Sequence, residues 1–300
     1  EKYVGHEFEV SDIFINPRAG INYKITDNQN LFFSFARVTK EPRLKNYYDA
    51  AESSGGAEPQ FEQNSDGTYN FDNPVVQPET MNDFELGTSI SGDNYSATLN
   101  LFYMLFNDEI VKNGELDRFG QPVTGNIDQT VHQGVELSFR CNFLNSFELF
   151  GNATYSRNII SKGNFFLDSE NSINLNDNRI SGFPDFLGNL GISFKNQSLY
   201  LRLTGKYVGA FYSDNYDKKL AIYLERFPGF VSYTDNKNEA YFTADFSGSY
   251  EFSLFNSLTA SKIFFQVNNV FDNLYSAYAI GQEFFPAAER NFLIGFQAGL

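Results

Sequence analysis

The run Phe264-Phe-Gln-Val-Asn-Asn-Val-Phe-Asp-Asn-Leu-Tyr275, followed by Pro286-Ala-Ala-Glu-Arg-Asn-Phe-Leu-Ile-Gly-Phe-Gln-Ala-Gly-Leu300, decides how this sequence folds. In the second part Phe292, Ile294, Phe296, Ala298 and Leu300 fall on one side of an extended strand. Asn291, Gly295, Gln297 and Gly299 fall on the other, the period of two that a half-buried strand requires. The apolar face reaches the last residue. The open edge of such a strand needs a partner, and the first strand of a closed barrel supplies one most economically.

Working outward, the same alternation recurs along the chain. In Thr130 to Phe143 the apolar set is Val131, Val135, Leu137, Phe139, Cys141 and Phe143, against His132, Glu136, Ser138, Arg140 and Asn142. Phe242, Ala244, Phe246, Tyr250 and Phe252 oppose Thr243, Asp245, Ser247, Ser249 and Glu251. Leu199, Leu201, Leu203 and Tyr207 oppose Arg202, Thr204 and Lys206, and Ala97, Leu99, Leu101 and Tyr103 continue the rule. In all, eleven strands are expected, at 18–26, 30–37, 82–91, 95–105, 130–143, 147–157, 185–194, 199–207, 240–252, 263–270 and 289–299. Composition agrees: 34 Phe and 18 Tyr stand among many Asn, Asp, Ser, Thr and Gly, which favours strands and turns over helices.

The spacing alternates too. Short turns rich in Asn, Asp, Gly and Ser follow Thr26, Ser91, Phe143 and Phe194. Long connections run over 38–81, 106–129, 158–184, 208–239 and 271–288, and unstructured segments of that length are uncommon in compact domains. Tight turns at one end and long loops at the other is the layout of an all-β, transmembrane antiparallel barrel. No stretch approaches the roughly 18 to 20 apolar residues of a membrane helix, and mean hydropathy is -0.36, yet spanning strands need only about 9 to 11 residues. Polar faces on strand after strand suit a wet lumen better than the dry core of a soluble sandwich. They make His132, Glu136, Arg140, Arg202, Lys206, Asp245 and Glu251 lumen-facing.

Composition also excludes. A net charge of -15 argues against a nucleic-acid partner, and a single cysteine, Cys141, rules out an internal disulfide framework and a cysteine metal cluster. Cys141 reads as a small lipid-facing hydrophobe. Of two histidines, His6 lies in an irregular entry segment and His132 on a polar strand face, so neither metal binding nor catalysis is expected. The oxygen-rich run Asp168 to Asn178 lacks the glycine and ligand spacing of an EF-hand and reads as a solvated loop, and Asn152-Ala-Thr154 is a glycosylation pattern without meaning on a membrane strand. No signal peptide opens at Glu1, and a fragment of a longer protein is expected.

At this point four segments carry a resemblance. They are Asn16-Pro-Arg-Ala-Gly-Ile-Asn-Tyr23, Gln77-Pro-Glu-Thr-Met-Asn-Asp-Phe-Glu-Leu-Gly87, Asn126-Ile-Asp-Gln-Thr-Val-His-Gln-Gly-Val-Glu136, and the tail with Asn268, Asn269, Phe271, Tyr275, Arg290, Phe292 and Gly295. In this order and spacing the chain resembles the C-terminal half of TonB-dependent outer-membrane receptors. The resemblance implies a barrel of about 22 strands around a plug, with the plug, the TonB box and the early strands outside residues 1–300. An odd set of eleven cannot close alone. These barrels usually end on an aromatic residue read by the barrel-insertion machinery, whereas this sequence ends on Leu300.

The resemblance further implies an outer-membrane active importer, not an enzyme, without cofactor, whose partners are the TonB complex, outer-membrane lipid and lipopolysaccharide. A ferric siderophore or haem leads as cargo. The alternatives are a glycan or peptide importer working with a surface lipoprotein, and a passive porin or barrel enzyme. Ligand contacts are expected from the long loops: Arg43, Tyr47, Tyr48, Phe61 and Tyr69 in the first, and Phe211, Tyr212, Tyr216, Tyr223 and Arg226 in the fourth. The opposing expectation for these aromatics is that they pack the loops against one another.

Overall fold

A computed structural model describes residues 2–3, 6–47, 59–116, 122–166, 172–253 and 261–298. Eleven strands join one antiparallel sheet: β1 (Arg18–Thr26), β2 (Gln29–Lys40), β3 (Glu79–Ser91), β4 (Tyr95–Leu116), β5 (Pro122–Phe143) and β6 (Phe147–Lys162), then β7 (Phe186–Lys195), β8 (Leu199–Val208), β9 (Tyr241–Phe252), β10 (Ser261–Asn268) and β11 (Asn291–Gln297). Their order in space is their order in sequence, so each strand pairs with its sequence neighbours, and β1 and β11 are the edges of the described sheet. Between β5 and β6 both Leu144 (φ 50) and Asn145 (φ 56) are left-handed, as a turn whose twist matches its strands demands.

Directly opposed residues share a face. Leu203 stands opposite Ile192 and Phe246, Leu137 opposite Leu99 and Ala153, and Phe292 opposite Val267, which gathers the apolar alternates onto one side. In mid-sheet that side is open: Leu101 is 45% and Leu203 46% exposed. At about 1.5–3 kcal/mol for each large apolar side chain, a face of this kind in water would outweigh the roughly 5–15 kcal/mol by which proteins are stable. Lipid is the solvent that fits it. Among the described residues no helix is long and apolar enough to cross a membrane.

The opposite face is polar, and His132, Glu136, Arg140, Arg202, Lys206, Asp245 and Glu251 share it. Arg140 donates to Glu148 at 2.8 Å, Arg202 lies 4.4 Å over the Phe150 ring, and Asp245 accepts from the Asn269 backbone N–H at 2.9 Å. Glu136 stands opposite Asn100 and Thr154, Lys206 opposite Asn189 and Thr243, and Glu251 opposite Lys262.

The strands differ from expectation at their outer ends. β4 and β5 have 22 residues each, against expected segments of 95–105 and 130–143, and β6 runs on to Lys162. At about 3.3 Å per residue the β4–β5 hairpin extends some 70 Å, far beyond a bilayer. Above the membrane both faces meet water or loops, so nothing forces the alternation that marks a strand in sequence. At the chain's end the strand is shorter than 289–299, running Asn291–Gln297.

The long connections are also structured. The 106–129 connection is largely ladder, and small hairpins fill the others: Phe61–Gln63 with Tyr69–Pro74, Asn164–Phe166 with Ser172–Asn174, Phe211–Tyr212 with Lys237–Asn238, and Ser276–Ile280 with Glu283–Pro286. His6, expected in an irregular segment, pairs with Tyr3 in another.

The dry cores of the molecule lie in these loops. One joins Val111, Ile127, Ile160, Ile173, Leu175, Ile180, Tyr216, Leu220 and Tyr223, and a second joins Phe8, Tyr47, Phe61 and Val76.

The two faces make opposite demands on one strand. Leu203→Arg, near the middle of β8, is expected to cost about 2–4 kcal/mol of stability in the bilayer. Thr204→Arg on the polar face is expected to cost less than 1 kcal/mol. Unfolding of the membrane-inserted receptor in denaturant checks both, and equal losses would overturn the assignment of faces.

Candidate functional site

Three outer loops and the β4–β5 hairpin meet above the polar face around residues 211–217. Phe211–Tyr212 pairs with Lys237–Asn238, and the chain then folds over Asp214, whose side chain is fully buried. Its Oδ1 accepts from the Tyr216 backbone N–H (2.8 Å) and Asn236 Nδ2 (2.8 Å), and its Oδ2 from the Tyr233 hydroxyl (3.1 Å). Asp217 sits at φ 57, a region in which aspartate is among the tolerated residues, and accepts from the backbone N–H of Arg179 at 3.2 Å. The helix α1 (Leu220–Arg226) follows and drops Leu220 and Tyr223 into the loop core.

Asparagine side chains tie the elements together. Asn215 Nδ2 donates to Lys112 O at 2.6 Å, linking this loop to β4, while Asn178 Nδ2 donates to Asn215 O at 3.0 Å. Ser213 donates to Gly281 O at 2.7 Å, which brings in the last loop, and the Lys112 ammonium bonds the Tyr278 hydroxyl and lies 4.2 Å from its ring centroid. The result is one cross-braced outer body.

Within it lies a cavity of about 190 Å³ lined by Arg179, Asp185, Tyr212, Asp217, Lys218 and Lys237, with Phe183 and Phe211 as apolar walls. The Arg179 guanidinium pairs with Asp185, Lys237 is held by Glu239 at 2.9 Å, and Lys218 is exposed. Burial first, and then the Asp217 carboxylate, holds the Tyr212 hydroxyl above its ordinary range, so it stays a neutral donor. Against Asp185 and Asp217 the three cations leave the lining one net positive charge, which with the phenol suits an oxygen-rich or anionic group. The volume is below the 300–1,000 Å³ usual for a whole ligand, so it fits only a projecting corner of a larger one.

Many of the loop aromatics expected to contact a ligand lie packed within the loops. Tyr47 and Phe61 are buried with Phe8 and Phe71 in an aromatic cluster that also takes Tyr69 half-buried. Phe211 packs against Val208 and Ala279, and Tyr216 and Tyr223 close the large loop core. These rings hold the loops together, and Phe211 also forms a wall of the cavity. Tyr212 faces the cavity, Arg43 and Arg226 are exposed with Arg226 over Phe227 at 5.3 Å, and Tyr48 lies outside the described residues. Arg179, Lys218 and Lys237 were missed, because cations from two loops with β7 and β8 between them carry no spacing signal.

His132 has close partners. Its Nδ1 lies 2.8 Å from Asn158 Oδ1 and its Nε2 3.1 Å from Glu109 Oε2, between the rings of Phe106 and Phe183. Thr130, 3.5 Å from Nε2, is wholly buried and bonded to Glu109, so no substrate reaches that hydroxyl. Among the described residues no His, Cys, Asp and Glu cluster could hold a metal ion.

The tail motif proves to be a knot in the backbone. Asn269 and Asp272 adopt φ 52 and 55. Asn269 exchanges bonds with Asn273 at 2.9 and 3.0 Å, and Asn273 reaches Phe242 O on β9 at 2.8 Å. Asp272 accepts from the Arg290 N–H at 2.8 Å, Asn268 donates to Asn291 at 2.8 Å, and Tyr275 stacks on Tyr241 at 4.2 Å. Phe271 is exposed beside Phe242 on the apolar face. These residues turn the chain out of β10 and return it into β11.

The family described as TonB dependent receptor-like, beta-barrel, matches residues 4–270. The chain belongs to the TonB-dependent receptor family. Its barrel therefore resides in the bacterial outer membrane, with lipid on the apolar face and the long loops outside. Among solved structures, the siderophore receptor PiuA from Acinetobacter baumannii is 18% identical with a TM-score of 0.64, covering 93% of this chain and 35% of that one. The ferric-catecholate import receptor Fiu from E. coli K12, closed form, is 18% identical with a TM-score of 0.61, covering 92% and 34%. The copper transporter OprC is 15% identical with a TM-score of 0.62, covering 92% and 38%. The chain thus spans about a third of the receptors it matches, and at these identities the likeness speaks for the fold. No curated protein matches the sequence. The family and these neighbours are transport receptors, not enzymes.

Burial pushes the Asp214 carboxyl up to about 6, outweighing the donors that favour its charged form. Folded loop therefore holds a proton that opened loop releases, so this contribution is full below about pH 4 and is lost as pH rises through about 6. Hydrogen exchange corrected for intrinsic rates is expected to show 213–217 and 233–236 better protected at pH 5 than at pH 7.5. Asp214→Asn is expected to flatten that difference, and the opposite slope would overturn the assignment.

Proposed function

We propose that this chain forms part of the wall and outer ligand platform of an active importer that takes up a large anionic metal chelate, a ferric siderophore or haem. The observation that carries the reading is the cavity where Lys218, Lys237 and Arg179 meet Tyr212 and Phe211 on a braced, water-facing body. The overall charge of -15 repels an anion at long range. Beyond about 8 Å physiological salt screens that field, so cations in contact with the ligand decide binding. The siderophore and ferric-chelate receptors among similar folds support this cargo, and the copper transporter in the same set means that fold alone does not choose it. Energy coupling falls to TonB acting through segments beyond these residues.

In the full-length receptor, Lys218→Glu combined with Lys237→Glu is expected to weaken ferric-chelate binding about tenfold, or ~1.4 kcal/mol, with surface level unchanged. Equilibrium binding of a labelled catecholate, citrate and haem panel to whole cells measures it. Loss of no member of the panel, together with unchanged expression under iron starvation, would sink the reading.

A further inference from the structure

Four glycines on the polar face share a setting. Gly87 stands directly opposite Phe32, Gly134 opposite Phe102, Gly191 opposite Phe150 and Gly295 opposite Phe264. In each pair the phenylalanine ring lies across the glycine, where a Cβ would overlap it. The pairs bridge β2–β3, β4–β5, β6–β7 and β10–β11, with phenylalanine on the earlier strand and glycine on the later one every time. β2–β3, β6–β7 and β10–β11 are joined by long outer connections, whereas β4 runs to Leu116 and β5 starts at Pro122. The same contact also occurs in the tightly turned β5–β6 pair, where the Phe139 ring lies against its partner Gly151.

A tight hairpin fixes register through its turn, whereas two strands joined by a long loop have no such ruler. A one-residue slip would turn the apolar face inward and is excluded by the membrane. A two-residue slip keeps the faces and must be prevented otherwise. Such a slip would bring Phe32 onto Glu85 or Ser89, Phe102 onto His132 or Glu136, Phe150 onto Asn189 or Ser193, and Phe264 onto Leu293 or Gln297. Each of these has a Cβ where the ring lies. We propose that the Phe–Gly pairs are register locks, which select the correct pairing above all in β2–β3, β6–β7 and β10–β11, whose connecting loops are too long to do so.

The remaining long-loop pair, β8–β9, uses the apolar face, where the Phe242 ring covers Gly205 beside its partner Ala244. Phe150 also receives the Arg202 guanidinium on its ring, so that lock is backed from β8. The proposal is independent of what the receptor transports.

The test uses full-length receptor in outer membranes, with Cys141→Ser as background. Asn152→Cys with Asn189→Cys reports the native register, since these residues are directly opposed. Asn152→Cys with Leu187→Cys, and Thr154→Cys with Asn189→Cys, report slips of two in either direction. Adding Phe150→Ala or Gly191→Val is expected to lower native cross-linking in the inserted fraction at least twofold and to raise a slipped product. The exchange Phe150→Gly with Gly191→Phe rebuilds the lock and is expected to restore both register and the yield of inserted barrel. Native cross-linking at the parental level in both single variants, or an exchange variant as impaired as the singles, would overturn the proposal.

Discussion

A backbone N–H or C=O in lipid has no water to bond, and leaving one unpaired costs several kcal/mol. That constraint determines the rest of the structure. It requires a ladder in which each strand is bonded on both sides, and so forces the meander from β1 to β11, with tight turns at one end. Side chains then have two destinations. Leu99, Leu137 and Leu203 lie on the apolar face, while Arg202, Asp245 and Glu136 lie on the polar one. The glycines opposite Phe32, Phe102, Phe150 and Phe264 add a further demand, that the ladder close in one register and no other.

How much of this was legible follows from the same physics. Inside the bilayer the two faces differ in solvent, and the alternation Val135-Glu136-Leu137-Ser138 records that difference residue by residue. Outside it the record stops. Val111, Ile127 and Ile160 turn into a loop core, so the upper parts of β4, β5 and β6 looked like connection. Aromatic residues in loops were visible in the sequence, but composition does not tell a ring that binds from a ring that packs. Tyr216 and Tyr223 are packed because Asn178 and α1 bring them under the surface, a contact made across 38 and 45 positions. The cations beside Tyr212 come from separate segments that only the fold assembles.

Charge shows a similar separation of scales. An excess of carboxylates spread over the chain sets solubility and the far field, whereas the cavity is governed by groups within a few ångströms. Asp214 marks the boundary between the two regimes. Buried and ringed by donors, it is spent on shaping the loop that presents Tyr212 and Lys218.

Val111, Ile127 and Ile160 belong at once to the ladder and to the largest dry core. The outer body is built on strand ends that the wall already holds in place. The module that nature or an engineer can exchange among such receptors therefore does not end at the membrane surface. A graft cut there would take away the floor on which the foreign loops must fold, and a viable junction has to lie lower, inside the paired strands.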